Sequence, residues 1–305
     1  MSWLLIFEQA LNGLQFGLML FLLAAGLTLV FGIMDMINLA HGSLYMLGAF
    51  LASTFVALTG SFTAGVLLAI PATAVLGMVL EIAVLRTLYA RDHLSQVLAT
   101  FALILILNEV VRLVWGSDAS LPMPAALAGP VQILPGLPYP AYRLVIIAVG
   151  LLIALLLYVL VAKTRIGMLV RAGASNREMA LAMGVNIKLL FTLVFGAGAA
   201  LCAVAGAMLA PLFAVQVGMG ENILILAFVV IVIGGIGSIR GALVGAVLVG
   251  VVDTIGRAFL PLVFGLVFQP RVASAAGPAI ASVAIYLLMA VILYFKPKGL
   301  FPARG

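Results

Sequence analysis

Long apolar runs separated by short polar stretches dominate the pattern along this chain. Because a helix needs about 20 apolar residues to cross a bilayer, nine of these runs are candidate membrane spans. They cover residues 7–34, 39–58, 62–85, 94–115, 144–162, 189–213, 223–236, 242–260 and 279–295. The second and the seventh runs leave open whether they cross completely. The pattern predicts an all-α transmembrane bundle of about eight or nine spans with interrupted helices, built as one domain over residues 1–305.

Basic residues predict the orientation of these spans, because lysine and arginine collect on the cytoplasmic side. The basic stretches are the 86–91 turn, the 163–188 loop, Arg240 and the tail with Lys296, Lys298 and Arg304. Nine crossings then place the N-terminus outside and the C-terminus in the cytoplasm. The proline-rich connection 116–142 is predicted to be an extended outer loop, and 261–277 a second, partly re-entrant outer segment.

Composition excludes a soluble protein and most catalytic chemistry. Hydrophobic residues make up 66% of the chain and charged residues 8%, against about 25% charged residues in soluble domains. The net charge of +6 lies at the ends of the apolar runs, so it does not form a nucleic-acid surface. The single cysteine, Cys202, is predicted to be an inert core residue. No residue spacing fits a metal site or a phosphate-binding loop, so we expect no cofactor and no ATP hydrolysis by this chain.

The polar stretch 163–188 is the most basic internal part of the chain, with five basic residues and one acidic residue. A short helix of about two turns is predicted within it. Its residues include Ser175, Asn176, Arg177, Glu178, Met179, Ala180, Ala182 and Gly184. Ser175 is expected to cap this helix, Glu178 to bond back to Ser175, and Gly184 to end the helix in a left-handed conformation. From the residues alone, the stretch either touches lipid headgroups or docks a soluble partner.

Two glycine-rich breaks interrupt the helical pattern near opposite ends of the chain. The first break contains Asn38, His41, Gly42 and Tyr45, and the second contains Gly234, Gly235 and Gly237. Backbone released from helical hydrogen bonding can line a solute pathway, and closely packed helices also need glycine. For Gly241 and Gly245 beyond the second break, packing is the favoured interpretation. For 38–45, pathway and packing both stay open, because polar groups in a membrane segment are costly unless they are used or satisfied.

The remaining charges in or near the runs are predicted to form local pairs. Glu109 and Arg112 are three residues apart, and so can meet on one helix face. Asp253 and Arg257 are four apart and can do the same. A proton relay is the competing interpretation. Three more ionisable residues are predicted to be solvated or at the surface: Asp35, Glu81 and His93.

Four stretches together carry a family resemblance. They are residues 26–48, with Asn-Leu-Ala-His-Gly at 38–42, residues 164–186, residues 234–242, and Lys-Pro-Lys-Gly-Leu-Phe at 296–301. The residues of these four stretches resemble the sequences of the permeases of high-affinity branched-chain amino-acid ABC transporters. The resemblance spans nearly the whole chain, and the chain is similar to the shorter of the two paired permease types.

The resemblance implies a bacterial inner-membrane importer with a second permease, two cytoplasmic ATPases that bind the ATP, and a periplasmic solute-binding protein. It also implies that 163–188 is the cytoplasmic coupling loop, whose short helix meets an ATPase. Asn176 departs from the acidic residue expected there in many relatives, which changes the docking charge. Alternating access would carry Leu, Ile or Val beside the two glycine-rich breaks.

Other functions stay open at this point. The same family includes permeases for urea and short amides, and a sugar permease shares the interrupted architecture. A stand-alone secondary transporter, coupled to ions through Glu109 or Asp253, belongs to a different class and would work without ATPases.

Overall fold

The computed structural model describes residues 3–301, so Arg304 lies outside the described part, as does the side chain of Arg177. The helices are α1 (Trp3–Met34), α2 (His41–Thr59), α3 (Phe62–Ala83), α4 (His93–Trp115), α5 (Ala141–Lys163), α6 (Arg165–Ser175), α7 (Arg177–Ala182), α8 (Ile187–Leu209), α9 (Met219–Gly234), α10 (Ile239–Phe264) and α11 (Pro270–Phe295). Short strands are β1 (Asp118–Ala119), β2 (Pro130–Leu134), β3 (Leu137–Pro140) and β4 (Val215–Gln216). Within this range, eight helices are long and apolar enough to cross a membrane, which confirms the predicted polytopic helical bundle.

The two apolar runs whose crossing the sequence leaves open, 39–58 and 223–236, form helices of different length. The second run forms α2, whose 19 residues meet the length and hydropathy of a membrane span. The seventh forms α9, which has 16 residues. At 1.5 Å per residue α9 is about 24 Å long, less than the hydrocarbon thickness of about 30 Å. It is therefore a partial span.

Helices α1 and α8 form the centre of the bundle. In each, 78% of the most apolar window is buried inside the protein. α1 packs against α5, α8, α9 and α10, and α8 packs against α2 and α3. By contrast, only 17% of the corresponding window of α5 and 11% of that of α11 is buried. Their exposed leucines and valines form the outer surface that suits lipid.

The outer connections differ in part from the prediction. The 116–142 connection contains a hairpin of β2 and β3, with Val131 opposite Tyr139, where an extended loop was expected. In the 261–277 segment, α10 continues to Phe264 and α11 begins at Pro270, which leaves a short turn between the two helices. That this segment is partly re-entrant stays a prediction. β1 pairs with β4, so the connections that follow α4 and α8 lie on the same side of the bundle.

The break between α1 and α2 brings the start of α2 deep into the bundle. A Cβ added to Gly26 would lie 2.9 Å from His41 Nε2 and 3.0 Å from the carbonyl oxygen of Gly198. Gly198 is the central residue of the 23-residue α8. His41 is the first residue of α2, so α2 begins level with the middle of α8, and the preceding residues 35–40 enter the bundle without regular structure.

Candidate coupling and translocation sites

The short helix α7 is built by caps at both ends. Asn176 Oδ1 accepts a hydrogen bond from the Met179 N–H at 2.9 Å. Ser175 is the last residue of α6, so the predicted Ser175 cap is wrong and Asn176 takes its place. Asn176 is the N-cap because its extended backbone lets its side-chain amide oxygen reach the first free N–H groups of α7. At the other end Gly184 has φ of +84°, the left-handed conformation predicted for it.

Helix α7 and its carboxyl end expose apolar side chains that no other part of residues 3–301 covers. Met179, Leu181 and Met183 are 61%, 56% and 78% exposed. Glu178 and Ala182 are exposed as well. Ala180 is different: it is 5% exposed and packs inward. A groove of about 420 Å³, lined by Met183, Leu169 and Leu189 among others, adjoins this surface.

Helix α6 ties α7 to the membrane helix α5. Thr164 caps α6 by accepting from the Gly167 N–H at 3.2 Å. The Arg171 guanidinium donates to the Val161 carbonyl near the end of α5. α7 contacts α6 on one side and α8 on the other. The whole stretch 163–188 is therefore folded back on α5 and α8.

Glu81 is not solvated, contrary to the sequence-based prediction. Its side chain is fully buried at the end of α3. It accepts hydrogen bonds from Arg86 Nη2 at 3.0 Å, from the Tyr89 hydroxyl at 2.7 Å and from the Thr192 hydroxyl at 2.7 Å. The hydrogen bond that Arg86 donates to Glu81 raises the pKa of Arg86. This network joins the turn after α3 to the first part of α8, immediately after the 163–188 stretch, and sequence spacing gave no sign of it.

The first glycine-rich break forms a buried polar cluster. Asn38 and His41 are fully buried and Tyr45 is 4% exposed. Asn38 Oδ1 accepts from the Ala40 N–H at 3.0 Å, and His41 Nε2 lies 3.1 Å from Cys202 Sγ. Cys202 is in the core as predicted, and its contact with His41 was not foreseen. Three buried polar atoms of the described residues find no hydrogen-bond partner: Thr28 Oγ1, Asn38 Nδ2 and His41 Nδ1.

Two helices begin side by side next to this cluster. A Cβ on Gly42 would lie 2.4 Å from the Gly220 carbonyl oxygen, and one on Gly220 would lie 2.1 Å from the Gly42 carbonyl oxygen. Gly42 and Gly220 are the second residues of α2 and α9. Neither helix has a side-chain cap at its amino end. Only glycine permits this approach, which the sequence did not indicate for Gly220.

The second glycine-rich break lies at the far end of α9 from the Gly42–Gly220 crossing. Gly234 is separated from Gly220 by most of α9, about 21 Å. The carboxy-terminal segment covers the break, because Leu300 N–H donates to the Ile233 carbonyl and Phe301 N–H to the Gly234 carbonyl, both at 2.9 Å. The second break instead approaches the end of α1, because a Cβ on Gly32 would lie 3.4 Å from Gly237 Cα. Gly234, Gly235 and Gly237 therefore lie at the opposite end of α9 from the crossing of Gly42 and Gly220.

Packing accounts for the glycines of α10, as predicted. A Cβ on Gly241 would lie 2.1 Å from the Gly234 carbonyl oxygen, and one on Gly245 would lie 2.7 Å from the Val230 carbonyl oxygen. These positions let α10 approach α9 closely.

The predicted local ion pairs form. Arg112 contacts Glu109 at 3.0 Å, and Arg257 contacts Asp253 at 2.8 Å. Asp35 and His93 are exposed, as expected. A further polar contact was missed: Asn108 Nδ2 donates to Glu221 Oε1 at 2.7 Å. The only signal for Glu221 was its place directly before an apolar run.

Comparison with known proteins adds to this geometry. The family model described as the permease component of the branched-chain amino acid transport system matches residues 9–295. The chain is 30% identical to the high-affinity branched-chain amino acid transport system permease protein BraD of Pseudomonas aeruginosa, over 96% of this chain and 94% of that protein. It is 30% identical to LivH of Escherichia coli K12, a permease protein described in the same words, over 85% of this chain and 88% of LivH.

A third relative provides a similar match. The probable branched-chain amino acid transport permease protein LivH of Methanocaldococcus jannaschii is 29% identical over 82% of this chain and 81% of that protein. No solved structure matches the chain.

Proposed function

Because this chain belongs to the family of branched-chain amino acid transport system permease components, we propose that it carries Leu, Ile and Val across the membrane as a subunit of an ABC importer. The names of the relatives support this cargo. The chain is a multi-pass membrane protein of the transport class, not an enzyme. Its site in a bacterial cell is the inner membrane, with the N-terminus outside and the C-terminus in the cytoplasm.

The importer contains further subunits. A second permease completes the membrane part, two cytoplasmic ATP-binding subunits supply the energy, and a periplasmic solute-binding protein delivers the amino acid. The chain itself needs no cofactor, since ATP is bound by its partners. Residues 163–188 form the cytoplasmic coupling loop of a single permease domain covering residues 1–305.

The exposed apolar surface of α7 is the observation that carries this proposal. A six-residue helix is too short to be stable alone in water. Met179 and Leu181 of this helix and the adjoining Met183 are each more than half exposed. An ATPase that grips this helix would cover them. Asn176 and Gly184 shape the helix, and Ser175, the last residue of α6, joins it to α6. Glu178, Met179 and Ala182 contact the ATPase beside Arg177, and Ala180 anchors the helix to the chain.

Movement of α7 would reach the bundle by two routes. Directly, α7 contacts α8, which lies at the centre. Through α6 and Arg171, α7 is linked to the end of α5. The Glu81 network adds α3 and the following turn to the moving unit, because Thr192 of α8 is one of its members. ATP-driven closure of the motor subunits then tilts these helices in alternating access.

The cargo crosses beside the first glycine-rich break. Asn38, His41, Gly42 and Tyr45 lie where α2 begins inside the membrane, and a broken helix end offers dipoles to a zwitterion. Gly234, Gly235 and Gly237 belong to the same pathway only at its cytoplasmic end, where they form the turn that the carboxy-terminal segment covers. Alternating access requires this cover to move.

Charge placed on α7 tests the coupling. Met179→Asp and Ala182→Asp should each abolish transport and cargo-stimulated ATP hydrolysis in the assembled complex, because a carboxylate would be buried in the docking surface. Leu58→Asp is the matched control, since Leu58 is 75% exposed at the other end of the bundle, and it should leave the ATPases bound. Normal ATPase binding and stimulation in the α7 variants would refute the proposal.

A further inference from the structure

We propose that Glu221, held by Asn108, is the group that receives the α-ammonium of the amino acid during translocation, beside the amino ends of α2 and α9. This inference rests on the proposed function. It gives the pathway a specific chemistry, namely selection for a cargo that carries a positive amino group next to an apolar side chain.

Glu221 lies at membrane depth. The Gly220 backbone touches Gly42, and α2 starts level with the middle of α8, as the contacts of Gly26 with His41 and Gly198 indicate. Asn108, which bonds to Glu221 at 2.7 Å, is seven residues before the end of α4 at Trp115, about 10 Å along the helix. Both positions place the carboxylate between the ends of the spanning helices, near the middle of α8 and about 10 Å from the end of α4.

The carboxylate nevertheless lies on the surface of this chain. Glu221 and the following Asn222 are exposed, and Asn108 is half-buried. A charged side chain at this depth is costly in lipid and is found facing a water-filled cavity or another protein. The face of α9 that carries Glu221 therefore borders the pathway between this subunit and its membrane partner.

Glu221 also lacks a cation among the side chains that the structure describes. Glu81, Glu109 and Asp253 each have an arginine nitrogen within 3.0 Å. Across residues 3–301 no ion pair to Glu221 is found, and its hydrogen bond comes from a neutral amide. A carboxylate held in place at membrane depth without its own counter-charge is suited to a cationic ligand.

The same place offers complementary chemistry for the carboxylate of the cargo. The amino ends of α2 and α9 meet at Gly42 and Gly220 and have no side-chain caps. Helix amino ends favour anions. Nearby, at the start of α2, His41 and Asn38 are fully buried and each keeps a nitrogen without a partner. Glu221 itself lies in the first turn of α9, so the amino end of α2 is the one left for the cargo carboxylate. A zwitterion placed between Glu221 and the start of α2 would have both charges met.

The chemistry separates two cargo classes of the family. An amino acid supplies an ammonium that can pair with Glu221. Urea and short amides are neutral and would leave the carboxylate unpaired at membrane depth, which costs free energy. The site therefore favours amino acids over neutral amides.

The test uses the complete complex, reconstituted in liposomes with its solute-binding protein and ATP, and measures uptake of radiolabelled leucine. Glu221→Gln should lower the uptake rate at least tenfold, while ATP hydrolysis stimulated by the leucine-loaded binding protein and assembly of the complex stay unchanged. Glu221→Asp should restore part of the uptake. Glu109→Gln is the matched control, because Glu109 is an exposed acid next to Asn108 that already has its own arginine, and its uptake should stay within twofold of wild type.

Each other outcome overturns the inference. Wild-type uptake by Glu221→Gln would show that the charge is not used. Loss of the second permease from the Glu221→Gln complex would assign Glu221 to subunit contact. By contrast, a wild-type complex that hydrolyses ATP without moving leucine would refute the proposed function itself, before any variant is compared.

Water access provides a second, independent measurement. Asn222→Cys in the complex should react with a charged, water-soluble thiol reagent, and leucine-loaded binding protein with ATP should change the rate. Leu152→Cys should not react, because Leu152 is 56% exposed on the side of α5 that faces lipid. An unreactive Asn222→Cys would mean that this face meets lipid or protein, and the inference would fail.

Discussion

Loss of the Thr192 hydroxyl tests the buried network around Glu81. Thr192→Val keeps the shape of the side chain and removes one hydrogen bond to Glu81, at 2.7 Å, and one from Arg86, at 2.7 Å. Glu81 is fully buried, so water cannot replace the lost donor. A hydrogen bond to a charged group contributes about 1.5–3 kcal/mol. We expect Thr192→Val to lower the free energy of unfolding by an amount in that range.

The assay is denaturant unfolding of the purified subunit in detergent micelles. Thr87→Val is the control, because Thr87 is exposed and its hydroxyl donates to the Val84 carbonyl of its own turn; it should cost less than about 1 kcal/mol. Glu81→Gln should also destabilise the protein, since it removes the charge that Arg86 and Tyr89 bind.

The double variant of Glu81 and Thr192 makes the test quantitative. Because the two residues share one network, their effects should not add, and the double variant should lose less stability than the sum of the single variants. A loss below about 0.5 kcal/mol for Thr192→Val, together with additive effects, would refute the reasoning that this network holds α3 to α8.

Two further changes test the caps and the helix crossing. Asn176→Ala should destabilise α7 by about 1 kcal/mol and weaken ATPase co-purification, whereas Ser175→Ala should do neither. Equal effects of the two variants would contradict the assignment of Asn176 as the cap. Gly42→Ala should disrupt the crossing of α2 and α9 and strongly lower leucine uptake, because its Cβ would lie 2.4 Å from a backbone oxygen. Gly129→Ala is the control and should be tolerated, since its Cβ would have nothing within 4 Å. Normal uptake by Gly42→Ala would contradict the close approach.

Periodicity and hydropathy were sufficient to predict the bundle. The apolar runs are set by the lipid environment, which acts on each segment separately, so their number and order could be inferred from local sequence. The ion pairs of Glu109 and Asp253 were also predictable, since each partner lies one helical turn away. Local rules give these features because their partners are local.

Features that depend on distant partners were missed. Glu81 was predicted to be solvated, and its burial depends on Thr192, 111 residues away. The contact of His41 with Cys202 spans 161 residues, and the crossing of Gly42 with Gly220 joins two helices that are far apart in sequence. A role for the exposed Glu221 likewise could not be inferred without the position of α9 in the bundle.

The cap of α7 shows a finer limit. Ser175 and Asn176 are both good capping residues, and Ser175 with Glu178 fits the spacing of a capping box. The choice was decided by α6, which extends through Ser175 and leaves Asn176 in the extended conformation. The length of one helix therefore fixed the cap of the next.

Site-specific crosslinking from α7 tests the central claim most directly. A photo-crosslinking amino acid is placed in turn at positions 179, 180, 181 and 183 of the complex in native membranes. We predict adducts with the ATP-binding subunit from the exposed positions of Met179, Leu181 and Met183, and none from the buried position of Ala180. Adducts with an extracytoplasmic protein, or the absence of ATPase adducts from all three exposed positions, would contradict the account.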